Sequence, residues 1–157
     1  MKLIHYPASF HQIAKQIGHA RRIMNNKKHI KKYDRGNKNQ HVDYIGALGE
    51  IIFLHYLIEK GIKYQMIKMV DCYSSKHPDF IVRGKKLDVK TKYNNHPSLI
   101  INLESHQKSK QFVDFYVFIH IQTKTTANMH IFQYNEIDDW ETVSLKYAVA
   151  KSYDLKS

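Results

Sequence analysis

Residues 114–122, DFYVFIHIQ, constrain the fold more than any other stretch. Side chains alternate across a strand, so Phe115, Val117, Ile119 and Ile121 share one face while Tyr116 and Phe118 lie on the other. A strand apolar on both faces must be covered on both, which places it centrally in a sheet that has layers on each side. Two helical patterns can supply cover. Ser9 to Met24 opens on an N-cap residue and repeats Phe10, Ile13, Ile17, Ala20 and Met24 at helical spacing, with Gln12, Lys15, His19 and Arg22 on the other face. Asp43 to Lys60, DYIGALGEIIFLHYLIEK, is apolar on nearly all sides and stops at Gly61, a residue suited to a helix C-terminal cap. Between them NNKKHIKKYDRGNKNQ, residues 25–40, reads as a loop that either tracks phosphates or serves solubility.

Strands are expected at Lys63–Val70, Asp79–Arg83, Lys86–Lys92, Leu99–Leu103 and Met129–Gln133, with a short polar helix or turn in ESHQKSKQ. The 157 residues then form one mixed α/β domain. No segment reaches membrane-span length, MKLIHYPASF lacks signal-peptide character, and Cys72 is the single cysteine, all of which suit a reducing cytoplasm. A net charge of +11 points to a polyanion, nucleic acid first, with acidic lipid headgroups or plain solubility as the alternatives.

Glu50 is the anomaly in the second helix. It shares a face with Gly46, Ala47, Phe53, Leu54 and Leu57, where a carboxylate must be paired, ligated to a cation or protonated. A salt bridge to a lysine at the core edge would serve, as would a metal. Gly46 and Gly49 would let this part of the helix approach another backbone closely.

The second anomaly is HPDFIVRGKKLDVKTK, residues 77–92. With Gly84-Lys85 as a type II′ turn, Ile81 faces Asp88 and Asp79 faces Lys90. Asp79, Asp88 and Lys90 then project to one side, while Phe80, Val82, Leu87 and Val89 pack on the core. An Arg83-Gly84 turn shifts the partners and keeps that division. A solvated ribbon would explain the charges. So would a metal site, because two close carboxylates repel unless a cation holds both ionised. Magnesium suits one or two carboxylates completed by water and phosphate oxygens, and Lys90 beside it could stabilise negative charge on a phosphate. No HExxH motif or histidine cluster offers a zinc site among the 11 histidines.

Pro78-Asp79, then Asp88-Val89-Lys90 on the next strand, with Glu50 in GALGE on the preceding helix, resemble the PD-(D/E)xK nuclease superfamily, and its small phage or mobile-element members most. The resemblance implies a restriction endonuclease-like α-β-β-β-α-β core over residues 43–122, with a mixed central sheet flanked by helices. Residues 1–42 would be an added N-terminal helix and basic loop, and residues 123–157 a C-terminal extension. It further implies an endonuclease dependent on Mg²⁺ or Mn²⁺ that cuts DNA, with RNA as the alternative substrate, often as a homodimer. Asp79 and Asp88 match the metal ligands, Val89 the residue lending its backbone carbonyl, Glu50 the helix-borne ligand and Lys90 the catalytic lysine. Asp88 stands where Glu is commoner. Phosphate contacts are expected from Arg21, Arg22, Lys27, Lys28, Lys31, Lys32, Arg35, Lys38 and Lys92. A catalytically inactive nucleic-acid-binding or inhibitor protein on the same fold is the competing reading. Trp140, among the acids of NEIDDWE, would be edge packing, a dimer surface or a partner site.

Overall fold

The computed structural model describes residues 1–27, 40–67, 69, 77–93 and 95–156. Cys72, Lys28, Lys31, Lys32, Arg35, Lys38 and the side chain of Lys27 lie outside the described residues. In chain order the elements are β1 (Lys2–His5), α1 (Phe10–Lys27), α2 (Gln40–Glu59), β2 (Gln65–Met66), β3 (Phe80–Val82), β4 (Lys85–Lys92) and β5 (Ser98–Asn102). There follow α3 (Leu103–Lys108), β6 (Phe115–Ile121), β7 (Thr126–Gln133), α4 (Tyr134–Asp138), β8 (Glu141–Ser144) and β9 (Val149–Asp154). Among the described residues no helix is long and apolar enough to cross a membrane.

A six-stranded sheet runs in the order β1-β7-β6-β4-β3-β2. The β4–β6 pair is parallel and the others are antiparallel. β6 is an interior strand, and the alternation of its side chains divides the core in two. Val117, Ile119 and Ile121 join Leu48, Ile52, Phe53, Phe80, Leu87 and Val89 under the long helices. Tyr116 and Phe118 face the opposite way, onto Leu99, Ile101, Ile137 and Trp140. A strand apolar on both faces is thus covered on both.

The second cover differs from the single central sheet expected. Strand β5, expected at Leu99–Leu103, leaves the main sheet and pairs with β9 in a three-stranded sheet of order β5-β9-β8. Trp140 is a core residue of this layer, packed on Phe118, Phe132 and Tyr153. The C-terminal residues therefore help to build the second core, through Tyr134, Ile137 and Trp140.

Helix α1 is integral too. Gly18 lets it lie on α2 so closely that a Cβ there would stand 2.7 Å from the Tyr44 backbone nitrogen. Arg22 is 8% exposed and its Nε lies 3.2 Å from Asp43 Oδ2, so this arginine ties the two helices together. It is not the surface phosphate contact expected, because it sits on the helix–helix seam. At the other end α2 closes in a Schellman motif: Gly61 has φ 63°, its N–H donates to Ile58, and the Ile62 N–H donates to Leu57.

The hairpin turn is Arg83-Gly84, not Gly84-Lys85. Val82 pairs with Lys85 and Phe80 with Leu87, while φ is 52° at Arg83 and 75° at Gly84. Positive φ at both central residues is the type I′ pattern, whose twist matches the flanking strands. Phe80, Leu87 and Val89 are buried as the alternation required.

Candidate active site

The site forms where α2, β4 and the residues entering β3 meet. Gly49 sets the distance. Its α-carbon sits so near β4 that an added Cβ would be 1.8 Å from Thr91 Oγ1 and 2.8 Å from Thr91 Cβ. Glu50, the next residue, is thereby brought beside the charged positions of β4.

Lys90 Nζ stands 2.6 Å from Asp88 Oδ2, and the ammonium lies 6.0 Å from the Tyr116 ring centroid. Asp79 is fixed by backbone at two points. Its N–H donates to the Leu87 carbonyl at 2.9 Å, and its Oδ2 accepts the Val89 N–H at 2.8 Å. The aspartate carboxylate so takes over an acceptor position along the edge of β4. Val89 therefore contributes its N–H to Asp79; the expected carbonyl role remains a proposal.

The charges form one unit. Burial raises the pKa of Glu50; Arg21 opposes this by charge and hydrogen bond, Asp88 adds to it and Lys90 opposes it. Asp79 is pushed well above the usual carboxylate range, first by burial and then by the charges of Glu50 and Asp88. Burial works against the Lys90 cation, but Asp88, Asp79 and Glu50 outweigh it and raise its pKa. The lysine side chain is 39% exposed, so the site opens to solvent there.

Arg21 is the member whose setting the sequence did not show. Grouped with surface phosphate contacts, it instead points inward, with Nη2 2.5 Å from Glu50 Oε2 and Nε donating to the Met69 carbonyl at 2.6 Å. The pairing expected of Glu50 is present, made by this arginine rather than a lysine. The missed signal was the spacing from Gly18: three residues on, Arg21 lies on the same face of α1, toward α2. Lys92 is also engaged, with Nζ donating to the Ser98 carbonyl at 2.8 Å, and burial lowers its pKa.

Among the described residues, no three His, Cys, Asp or Glu side chains converge into a ready-made metal cage. Glu50 faces Arg21, Asp88 faces Lys90 and Asp79 faces a backbone N–H, which accounts for the separation. The donor set nevertheless suits a hard cation. Three mutually repelling carboxylates outnumber two cationic side chains, and Mg²⁺ needs only one or two of them alongside water and phosphate oxygens.

A second polar cluster lies under the Tyr116 face of the sheet. His106, 1% exposed, has Nδ1 3.0 Å from the Tyr116 hydroxyl and Nε2 2.8 Å from Asp138 Oδ1. Ser109 Oγ is 2.6 Å from the same hydroxyl, and the Tyr134 ring stacks on His106 at 4.1 Å. His106 is thus a core residue, paired on both ring nitrogens.

No protein-family model matches the chain, and no curated protein does. One similar solved structure is that of Hjc, a Holliday junction resolvase from the archaeal hyperthermophile Archaeoglobus fulgidus. The TM-score is 0.46 at 11% identity, over 71% of this chain and 84% of that one. A likeness of that degree decides neither family nor activity.

Proposed function

We propose that the chain is a divalent-cation-dependent endonuclease that hydrolyses phosphodiester bonds of DNA. The observation that carries the reading is the electrostatic unit itself: Glu50, Asp79, Asp88 and Lys90, from three parts of the chain, each shift or pair with another's charge at an open edge. Asp79 and Asp88, with Glu50 from the helix and the Val89 carbonyl, would hold Mg²⁺ or Mn²⁺. When bound, such an ion supplies Lewis acidity toward a phosphate and water of lowered pKa.

The chain's own groups do the rest. The Val89 N–H keeps Asp79 in one orientation, so the carboxylate does not need to reorganise as substrate arrives. Lys90 stays protonated across the physiological range because the acids around it raise its pKa. Its flexible ammonium can leave Asp88 for a phosphate oxygen and stabilise the negative charge that grows in the transition state. The net charge of +11 draws a polyanion toward the site. Cutting both strands of a duplex would take two such sites, hence a homodimer.

The ion pairs Glu50–Arg21 and Asp88–Lys90 also favour a second reading, a binding module that cuts nothing. Supercoiled plasmid, linear duplex, single strands, a four-way junction and an RNA duplex, incubated with Mg²⁺ or Mn²⁺, separate the two. Cleavage by the wild type that is lost in Asp88→Asn supports the nuclease. Tight binding without cleavage of any substrate assigns the binding module.

A further inference from the structure

Arg21, grouped by its sequence with the phosphate contacts, is held by Glu50 in the structure as the second cation of the site. We infer that Arg21 is a substrate-binding residue, passing from Glu50 to a phosphate oxygen of the nucleic acid when a divalent cation engages Glu50. This rests on the nuclease reading and extends it to a helix outside the residues that resemble a known motif.

The placement is specific. The Gly18 contact draws α1 onto α2, and the guanidinium lies along α2 between Gly46, where an added Cβ would be 3.6 Å from Nη1, and Glu50 one turn later. The Nε bond to the Met69 carbonyl anchors one edge of the guanidinium, leaving the Nη groups to change partner about that pivot. The side chain is 12% exposed, so a guanidinium that loses Glu50 must find another anion there. A phosphate fits, because the planar fork presents paired N–H groups at the spacing of two phosphate oxygens.

Charge balance gives the same answer. Glu50, Asp79 and Asp88, when ionised, bring three negative charges against two positive ones from Arg21 and Lys90, a net of one negative charge. A divalent cation turns this to one positive charge. A phosphodiester, carrying one negative charge, then neutralises the site. With Glu50 engaged by the cation, Arg21 loses its anion and is free to meet a phosphate oxygen, beside the one that Lys90 reaches on leaving Asp88.

The test measures duplex affinity with and without Mn²⁺ in a Lys90→Met background, where cleavage is slow enough for binding to reach equilibrium first. The parent should bind more tightly with Mn²⁺. Adding Arg21→Gln should weaken Mn²⁺-dependent binding about tenfold, roughly 1.4 kcal/mol, and leave metal-free binding within about twofold. Arg21→Lys, a point charge without the fork, should recover part of the loss. Should Arg21→Gln fail to fold, Arg21→Lys decides: an affinity below the parent's only with Mn²⁺ supports the inference. Equal weakening with and without Mn²⁺, or none, overturns it and makes Arg21 a structural ion pair. Failure of the nuclease reading is read separately, as a wild type that cuts no substrate.

Discussion

Gly46 and Gly49 lie three residues apart on α2, yet alanine at the two positions should change stability in opposite directions. Any Gly→Ala change inside a helix gains about 1 kcal/mol from backbone propensity. At Gly46 the nearest heavy atom to the new methyl is Arg21 Nη1 at 3.6 Å, an ordinary contact, so most of that gain should survive. At Gly49 the methyl meets Thr91 Oγ1 at 1.8 Å, Cγ2 at 2.9 Å and Cβ at 2.8 Å. Turning the threonine about χ1 moves its oxygen and methyl but leaves the β-carbon in place, so helix and strand must separate. Overpacking of this kind costs about 1–3 kcal/mol, and the upper part of that range applies when backbone has to move. After the propensity gain, Gly49→Ala should lose about 1–2 kcal/mol and Gly46→Ala should gain about 0.5–1 kcal/mol. Urea denaturation followed by circular dichroism measures both. With an m-value near 2 kcal/mol/M, the midpoint should fall by about 0.5–1 M for Gly49→Ala and rise by a smaller amount for Gly46→Ala. Gly49→Ala should also lose cleavage at urea-free conditions where it is fully folded, since Glu50 is carried away from Asp88. A Gly49→Ala protein as stable as the wild type would refute the close-approach argument.

Three further outcomes follow from the geometry. Asp79 has its folded pKa raised, so it contributes stability that is fully present below the unfolded value, about 3.9, and is lost as pH rises through the folded value. Asp79→Asn should therefore raise the Tm of the metal-free protein at pH 7.5 and change it little below about pH 3.9, and an equal shift at both would contradict the sign. Arg83→Asn should stabilise by about 0.5–1 kcal/mol by easing a positive φ in a type I′ turn, read as a higher denaturation midpoint. His106→Leu removes one partner of the Tyr116 hydroxyl, which keeps Ser109, and the partner of the exposed Asp138, and should cost about 1–2 kcal/mol by the same measurement.

The features legible in the sequence share one property: they depend on local periodicity. Alternation in residues 114–122 announced a strand covered twice, and alternation in the hairpin separated Phe80, Leu87 and Val89 from the charged positions whatever the turn. The turn itself was misassigned, because Arg83 adopts positive φ against its own preference and Gly84 is equally suited to either position. What stayed illegible was pairing between distant segments. Nothing in SLIIN says that it joins β9 instead of the main sheet, and short polar strands such as ETVS carry no apolar alternation to read. Arg21 was illegible for a related reason: whether an arginine on an amphipathic helix faces water or a buried glutamate depends on the neighbouring helix, and that contact was set by Gly18.

In the proposed nuclease Lys90 performs chemistry at the acidic site instead of merely neutralising it. The direct measurement is single-turnover cleavage of one labelled duplex in Mg²⁺ by the wild type and by Lys90→Met, with duplex affinity determined on the same preparations. Lys90→Met should cleave about a hundredfold or more slowly, the usual cost of losing one charge-stabilising donor, at an affinity within about threefold of the wild type. Equal rates for the two proteins would contradict it.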